Sequence, residues 1–257
     1  MESGSTCDSV KQHSFGVISY VMMSDFAEPP SFSGRIYVND GLTTLPRLVI
    51  FYVKYIDNND TAAFISNVSR FYTVGTLERL TMSDHVEVRR SAALALGFLG
   101  DQDNDAAFWQ LLRDDDHTVR VIAENGMRSI WARAGSDANR QMLRTVMRLI
   151  VAMQYEEAIV KATELIQHAP KFAEAWNQRA VAHFALKQYR FAIEDGVRAL
   201  KLNHHHFGAA IGVGHAHLFL GNISHTIKFF HLALDINPNL VSVRENLSKL
   251  VQSLKEE

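Results

Sequence analysis

Histidine is the residue type whose number and clustering first suggest chemistry in this chain. Twelve histidines are present, and nine of them lie between His168 and His231. Histidine binds Zn²⁺ and changes its charge near neutral pH, so a metal site or a pH-sensitive site is the first hypothesis. However, His215 and His217 are two residues apart, whereas a helical two-histidine site needs a spacing of three or four and a further ligand. His204–His206 fall at a predicted turn, so we predict structural or surface histidines and no metal site.

Two other motifs resemble ligand-binding loops but lack a required residue. The run Asp101–Asp105 opens like a calcium loop, yet Ala106 and Leu112 stand where that loop needs a glycine and a bidentate glutamate. Gly212 and Gly214 lead to no third glycine, so they do not predict a phosphate-binding loop. No serine-nucleophile, Walker or paired-carboxylate motif is recognisable. We therefore predict no catalytic residue and no cofactor.

Composition favours a helical protein without a strong overall charge. Hydrophobic residues make up 47% of the 257 residues, and the small number of prolines, 5, suits long helices. The formal net charge of -2 gives no argument for DNA or an anionic membrane as a partner. The single cysteine, Cys7, cannot form an internal disulfide. No segment has the roughly 20 consecutive apolar residues that a membrane span needs. These features predict a soluble cytoplasmic protein that does not bind membranes.

A 34-residue period runs through the second half of the chain, in residues 139–172, 173–206 and 207–240. Each copy ends at an equivalent dipeptide, Ala169-Pro170, Asn203-His204 or Asn237-Pro238, where a helix is expected to stop. The other recurring positions are Tyr155, Ala158 and Ile159 in the first copy, Trp176, Ala180, Tyr189, Ala192, Ala199 and Leu200 in the second, and Gly214, Gly221, Thr226, Ala233 and Leu234 in the third. The period predicts three helix–turn–helix units.

These three copies resemble the tetratricopeptide repeat (TPR) family, in particular bacterial members of unassigned activity. The resemblance implies a concave groove lined by the first helix of each repeat. The positions that face the groove in the family are here Arg140, Leu143, Arg144, Met147, Ile150, Val151, Glu174, Asn177, Gln178, Val181, Phe184, Ala185, Gly208, Ile211, Gly212, His215, Leu218 and Phe219. Such a groove suits a peptide or helix whose acidic group meets Arg140 and Arg144.

One binding mode of the family is not expected here. The clasp that holds the carboxylates of chaperone tails in some TPR proteins uses lysine, asparagine and other basic residues at defined groove positions. Those positions are occupied here by Leu143, Met147, Gly208 and Gly212. The resemblance therefore does not imply a heat-shock-protein tail as the ligand.

A second repeat, with a different period, precedes the first. Residues 83–100 and 114–131 align at a 31-residue offset, which places Val88-Arg89 on Val119-Arg120. The pattern of an aspartate turn, Val-Arg and an alanine-rich helix resembles the HEAT-like repeats of phycobilin lyase subunits. Asp84 and Asp116 are expected to cap the following helices. The resemblance implies that the two arginines form a ladder against the aspartates.

Together the repeats predict an all-α fold, a right-handed α-solenoid in which HEAT-like helix pairs continue into three TPRs and a capping helix. We predict a largely irregular N-terminal arm over 1–41, HEAT-like repeats over 42–135, TPRs over 139–240 and a capping helix over 241–257. In the cap, Val243, Leu247 and Leu250 recur at helical spacing and predict the buried face. The glycines in the first helix of the third repeat predict either a very close neighbouring backbone or a soft helix.

The predicted function is a non-catalytic scaffold or adaptor that binds another protein through the TPR groove. The same apolar residues could instead pack against the chain's own N-terminal arm. An alternative class is an accessory lyase or chromophore-handling subunit, which rests on the HEAT resemblance alone. A further alternative is weak nucleic-acid binding, since residues 139–240 hold 11 Lys and Arg against 7 Asp and Glu, a net of +4. Regular aromatic interleaving is absent, so nucleic acid is an unexpected partner. The oligomeric state and the partner's identity stay open.

Overall fold

In the computed structural model, residues 46–256 are described, and all of their regular structure is helical. The helices are α1 (Arg47–Asn58), α2 (Thr61–Phe71), α3 (Val74–Leu80), α4 (Val86–Leu99), α5 (Asp105–Leu111), α6 (His117–Ala132), α7 (Asp137–Val151), α8 (Tyr155–His168), α9 (Ala173–Ala185), α10 (Tyr189–Leu202), α11 (Phe207–Phe219), α12 (Ile223–Ile236) and α13 (Val241–Glu256). The predicted all-α solenoid class is confirmed. The arm predicted for residues 1–41 lies outside the described residues.

The described residues fall into two units, 46–133 and 134–256. In the first unit, Val88, Ala92 and Leu96 lie four residues apart on α4 and form a buried stripe. Helices α4 and α6 cross closely, because an added Cβ on Gly97 would lie 3.4 Å from the Cα of Gly126. This crossing at two glycines brings the helices of the two aligned copies together.

The two aligned arginines of this unit make equivalent contacts. Arg89 Nη1 donates to the carbonyls of Ser83 and Asp84 at 2.9 and 3.2 Å. Arg120 Nη1 donates to the carbonyls at 114 and 115, the aligned positions of the second copy, at 2.8 and 2.9 Å. Arg89 also binds the Asp114 carboxylate in a bidentate pair at 2.7 and 2.9 Å. The predicted arginine–aspartate contact therefore forms at Arg89, while the contacts of Arg120 described here are to backbone carbonyls.

The predicted aspartate caps form at one of the two helices. Asp116 precedes α6 and accepts a hydrogen bond from the Val119 N–H at 2.9 Å. This carboxylate also binds Arg90, and the hydrogen bond from that guanidinium lowers the pKa of Asp116. Helix α4, in contrast, is preceded by His85 and has no side-chain cap, so the prediction for Asp84 is wrong. In the 31-residue alignment the position equivalent to Asp116 is His85, so both helices start at equivalent positions but only the second copy has an aspartate there.

The second unit repeats with the predicted period. The second helices of the three predicted repeats are α8, α10 and α12. They begin at 155, 189 and 223 and end at 168, 202 and 236, so both boundaries recur at the spacing of the sequence repeat. The turn before each of these helices contains one residue with a positive φ, at Met153 (59°), Lys187 (59°) and Gly221 (76°). The recurring small residues Ala158, Ala192 and Thr226, at equivalent positions of the three repeats, are all buried. A shared turn geometry thus sets each helix pair.

The end of this unit is closed by α13. Its residues Val243, Leu247 and Leu250 are buried, as the helical spacing predicts, and the helix packs on α12. The remaining face carries Arg244, Glu245 and Lys249, which are exposed. The last repeat therefore covers its apolar face with a helix whose outer side is polar.

Gly214 of α11 makes room for a side chain and not for a second backbone. A Cβ added to Gly214 would lie 2.6 Å from the Phe230 ring. Similarly, a Cβ on Gly196 of α10 would lie 2.5 Å from Val213 Cγ2. Phe230 is fully buried, so its ring has little room to move away. Within and between the second and third repeats, helices therefore pack closely where a glycine leaves space for a side chain of the neighbouring helix.

We predict that Gly214→Ala destabilises the protein by about 1–3 kcal/mol, because the new methyl group overpacks the Phe230 site. The measurement is the free energy of unfolding from urea titration followed by circular dichroism. Gly75→Ala is the matched control, since a Cβ at that helical position meets nothing within 4 Å. We expect that control to be neutral or slightly stabilising. Equal effects of the two substitutions would contradict the packing argument.

Candidate functional site

The first helices α7, α9 and α11 carry all of the residues that the sequence assigns to the groove. Eleven of these groove residues are the predicted partner contacts, and eight of the eleven are buried. They are Leu143, Met147, Gln178, Val181, Phe184, Ile211, His215 and Leu218. Arg140 and Asn177 are partly exposed, and Arg144 is exposed. The structure thus separates a buried set from three residues that reach the surface.

Two of the buried residues hold neighbouring helices together. Val181 belongs to a core cluster with Val146 and Ile150 of α7. The ring of Phe184 lies 5.3 Å from that of Tyr189 and 5.5 Å from that of Phe219, in edge-to-face contacts. Such aromatic pairs add to the free energy gained by burial. Substitution of Val181 or Phe184 would therefore change stability as well as any binding surface.

A small open crevice lies between α9, α10 and α11. It encloses about 230 Å³ of space, including the part that is open to solvent. Its lining consists of Asn177, Ala180, Val181, Phe184, Ala192, Gly196, Ala209, Gly212 and Val213. Four of these residues, Asn177, Val181, Phe184 and Gly212, are also at positions that the sequence assigns to the groove.

A buried carboxylate stands beside this crevice. Glu174 accepts hydrogen bonds from Gln178 Nε2 at 2.6 Å, Asn177 Nδ2 at 3.2 Å and His206 Nε2 at 2.8 Å. Burial acts to raise the pKa of Glu174, but the hydrogen bonds from His206 and the two amide donors outweigh it, so the pKa is lowered. Glu174 is therefore an anion inside the protein, held by three side-chain donors.

His206 has a second role at the start of α11. Its Nδ1 accepts a hydrogen bond from the Ala209 N–H at 3.1 Å, which caps the helix. Because Nδ1 accepts, the ring proton lies on Nε2, the atom that donates to Glu174. The sequence predicted that the His204–His206 run is structural or lies on the surface, but it did not predict the contact of His206 with Glu174. The available signal was the position of His206 immediately before a predicted helix, where capping residues occur.

Asn177 presents an unused acceptor at the crevice. Its amide nitrogen donates to Glu174, while its carbonyl Oδ1 makes no hydrogen bond within residues 46–256. An exposed amide oxygen of this kind can accept a hydrogen bond from the N–H of a bound peptide. The site therefore offers one oriented polar contact above an apolar floor.

The predicted basic end of the groove is only partly available. Arg140 donates to the Gly135 carbonyl at 2.9 Å and pairs with Asp137. The guanidinium of Arg144 is exposed and has no carboxylate partner in the part of the chain that the structure describes. Arg144 is thus the better placed of the two to meet an acidic group.

Arg179 of α9 makes polar contacts with both neighbouring second helices. Its guanidinium binds Asp195 in a bidentate pair with both distances 2.7 Å, and it donates to Thr163 Oγ1 at 3.0 Å. Its Cζ also lies 5.0 Å from the centre of the Trp176 ring. Arg179 therefore connects α8, α9 and α10 in the middle repeat.

His215 is fully buried on α11 and lies 4.9 Å from the Phe230 ring in an edge-to-face contact. Neither of its ring nitrogens has a hydrogen-bond partner. Burial lowers the pKa of His215 to about 3. The imidazole is therefore neutral in the folded protein at every pH above about 3.

We predict that His215 makes the protein less stable in acid. The unfolded chain takes up a proton near pH 6.5, whereas the folded chain does so only near pH 3. Between these values the free energy of unfolding falls as the pH falls, by about 1.4 kcal/mol per pH unit. Urea titrations at pH 6.5 and pH 5 should show a loss about 1.6 kcal/mol larger in the wild type than in His215→Leu.

The exposed His231 provides the control for this experiment. The variant His231→Leu should keep the full pH dependence of the wild type. If His215→Leu and the wild type lose the same free energy of unfolding on acidification, the burial of His215 does not govern acid stability.

Several other histidines of this unit contact each other or a nearby amide. His183 Nδ1 lies 2.7 Å from Gln188 Oε1, and the His217 ring stacks on that of His225 at 4.8 Å. No group of three or more candidate ligands that could hold a metal ion occurs among residues 46–256. In the same residues, no helix is both long and apolar enough to cross a membrane.

Comparison with known proteins finds a relative in sequence and several solved structures that resemble this chain. No family model matches the chain. A TPR repeat-containing protein of Rhizobium etli is 29% identical over 150 residues, which cover 58% of this chain and 74% of that protein. The relative's name supports the TPR assignment.

Solved TPR structures resemble part of the fold. The first TPR of Spaghetti (RPAP3), bound to an HSP90 peptide, has a TM-score of 0.45 and 25% identity, and covers 47% of this chain and 96% of that one. The Arabidopsis OM64 TPR domain has a TM-score of 0.44 and 21% identity, and covers 45% and 96%. The TPR2AB domain of yeast Sti1, in a pHSP90 complex, has a TM-score of 0.43 and 14% identity, and covers 80% and 98%. These scores are too low to transfer a ligand to this chain. None of the proteins named here is a HEAT-repeat protein or a phycobilin lyase, so that part of the resemblance stays a prediction.

Proposed function

We propose that this protein is a non-catalytic scaffold whose TPR unit binds a peptide or helix of another protein in the concave groove. The observation that carries the proposal is the crevice between α9, α10 and α11, at which Asn177 Oδ1 is free to accept a hydrogen bond. A polar group with a fixed orientation beside an apolar surface is the arrangement that recognises a peptide backbone. The buried residues of the set, such as Val181 and Phe184, form the floor and fix the spacing of the helices.

The charge of the groove favours a partner with an acidic residue. Arg144 supplies an exposed cation on α7, and Arg140 supplies a second that already contacts Asp137. The anion Glu174 is enclosed by three donors, so it presents little charge to the groove. A rim cation of this kind raises the association rate and makes binding sensitive to salt. We place the interaction in the cytoplasm on the basis of the single cysteine.

The test is capture from native cell extract followed by titration. Wild type, Arg144→Glu and Asn177→Ala serve as immobilised baits, and the captured proteins are identified by mass spectrometry. The partner is then purified, and its binding is measured by isothermal titration calorimetry. We expect either substitution to weaken binding by about ten-fold, because each removes a contact worth roughly 1.4 kcal/mol.

The matched control is Lys228→Glu, which makes the same charge change as Arg144→Glu at an exposed position of α12. This control should bind the partner like the wild type, and circular dichroism should show that all baits are folded. A partner that binds the wild type and both groove variants with equal affinity would remove the groove from the proposed function. No contact among the described residues supports the lyase-like alternative or the nucleic-acid alternative.

A further inference from the structure

The N-terminal part of the chain contains a segment whose chemistry matches the ligand proposed for the groove. Residues 15–23 include seven apolar side chains, and the carboxylates of Asp25 and Glu28 follow them. No lysine or arginine occurs between Lys11 and Arg35, so the charges of this stretch are negative only. We call residues 15–28 the arm segment. An apolar run followed by carboxylates is the pattern that an apolar groove with a cation at one end can bind.

The groove offers the complementary surface across three helices. Arg144 of α7, Gln178 of α9 and Gly212 of α11 are 34 residues apart, so they are equivalent positions of the three repeats. Gly212 lines the crevice, whereas Arg144 is exposed. Helix α9 contacts both α7 and α11. The apolar crevice therefore lies at the α9–α11 end of this row, and an exposed cation lies at the α7 end.

The spacing of apolar and acidic residues in the arm segment fits the width of this surface. Neighbouring packed helices lie about 8–10 Å apart, so the axes of α7, α9 and α11 together span about 20 Å. About ten residues separate Phe15 from Asp25, a stretch that covers about 15 Å as a helix and about 33 Å when extended. The segment can thus place its apolar run at the crevice and a carboxylate at Arg144. Because the carboxylates follow the run, the chain then crosses the groove from α11 towards α7.

The arm segment has a long connection to α1. Roughly 20 residues lie between Asp25 and Pro46, and they can extend over about 70 Å. For comparison, α7 has 15 residues and is about 22 Å long. A ligand tethered in this way typically has an effective concentration of about 1 mM. That value favours a segment of this chain over an equivalent peptide of another molecule at micromolar concentration.

We propose that the arm segment occupies the groove of its own chain and that a protein partner must displace it, an inference that rests on the groove function proposed above. A carboxylate of Asp25 or Glu28 meets Arg144, and the apolar run covers the floor at the crevice. A backbone N–H of the segment donates to Asn177 Oδ1. The segment thereby makes the contacts that a partner's peptide would make, so it inhibits binding in competition with the partner.

The first experiment locates the arm segment by photo-crosslinking in the full chain. Phe15 or Phe26 is replaced by p-benzoylphenylalanine, the protein is irradiated at about 1 μM, and the crosslinked peptides are identified by mass spectrometry. We expect Phe15→p-benzoylphenylalanine to crosslink to α9 or α11, and Phe26→p-benzoylphenylalanine to α7. Both products should migrate as monomers in a denaturing gel, because the crosslink lies within one chain.

A charge reversal in the groove tests the acidic end of the segment. In the chain that carries the photoreactive group at Phe26, Arg144→Glu should reduce the yield of the α7 crosslink by at least about five-fold, since like charges then face each other. The matched control is Lys228→Glu, the same charge change at an exposed position of α12. This control should leave the yield unchanged. Circular dichroism checks that both variants are folded.

The second experiment measures whether the arm segment blocks the groove. The probe is a fluorescein-labelled synthetic peptide of residues 12–30, and its binding to the full chain is followed by fluorescence anisotropy. If this peptide binds an empty groove with a dissociation constant of about 100 μM, a tethered copy at about 1 mM weakens its binding about ten-fold. The double variant Val17→Asp, Val21→Asp places charges in the apolar run. We therefore expect this variant to bind the probe about ten-fold more tightly than the wild type.

Two further variants connect this gain to the groove. The double variant Ser31→Asp, Ser33→Asp adds the same two charges outside the arm segment, so it should bind the probe like the wild type. Adding Arg144→Glu to the Val17→Asp, Val21→Asp chain should weaken probe binding by about ten-fold. That loss corresponds to the removal of one contact worth roughly 1.4 kcal/mol.

Three results would overturn the proposal. The first is the absence of crosslinks from either position to α7, α9 or α11. The second is a crosslinked product that is entirely dimeric, since the occupant would then be the arm segment of a second copy. The third is equal affinity of the wild type and the Val17→Asp, Val21→Asp variant for the probe, because the segment would then not block the groove.

Failure of the arm proposal can be distinguished from failure of the proposed function. A captured partner that binds the wild type and the Val17→Asp, Val21→Asp variant equally well, but binds Arg144→Glu weakly, would keep the groove function and remove the arm segment. Intramolecular crosslinks to the groove, together with a partner that is insensitive to Arg144→Glu and Asn177→Ala, would do the reverse. In that case the groove holds the arm segment, and the partner binds elsewhere.

Discussion

The second unit depends most on the ion pair between Arg179 and Asp195. Two short hydrogen bonds join them across α9 and α10, and a third, to Thr163, extends the connection to α8. Loss of one partner from a largely buried pair leaves an uncompensated charge, at a cost of about 3–5 kcal/mol. Arg179 also packs on Trp176, a ring that Arg198 contacts as well. One pair thus joins two of the helices that line the crevice.

The positions of the helices in the second unit could be predicted from the sequence because the same pattern of residues occurs in three copies. Local spacing was enough to predict the 34-residue period and the recurring small residues. It also predicted the buried face of the capping helix, which consists of Val243, Leu247 and Leu250. The error at Asp84 arises because the position equivalent to Asp116 is His85, so the alignment places the start of α4 but does not supply a capping aspartate there. Helix ends are set by the local hydrogen bonds that compete there.

The candidate site could be predicted only in part. Family positions identified the helix face that contains Asn177 and Gly212, both of which line the crevice. Spacing does not show how much of that face is covered by the rest of the protein, and eight of the eleven predicted contact residues are buried. Nor does it pair Glu174 with His206, since these residues are 32 apart and meet only when two repeats stack. Likewise, the partner that fills the space at Gly214 is Phe230, on the following helix.

The turn residues with a positive φ have a consequence for how a chain of this kind can change in length. Met153 and Lys187 adopt a left-handed conformation that costs a residue with a side chain roughly 1 kcal/mol, whereas Gly221 adopts it at little cost. The geometry is kept in all three repeats, although the residue that provides it differs. Helix boundaries and turns recur together once per repeat, so one whole repeat can be duplicated or deleted between two such turns without a new junction. The natural step of variation in this architecture is therefore the repeat, while shorter insertions must be accommodated within a turn.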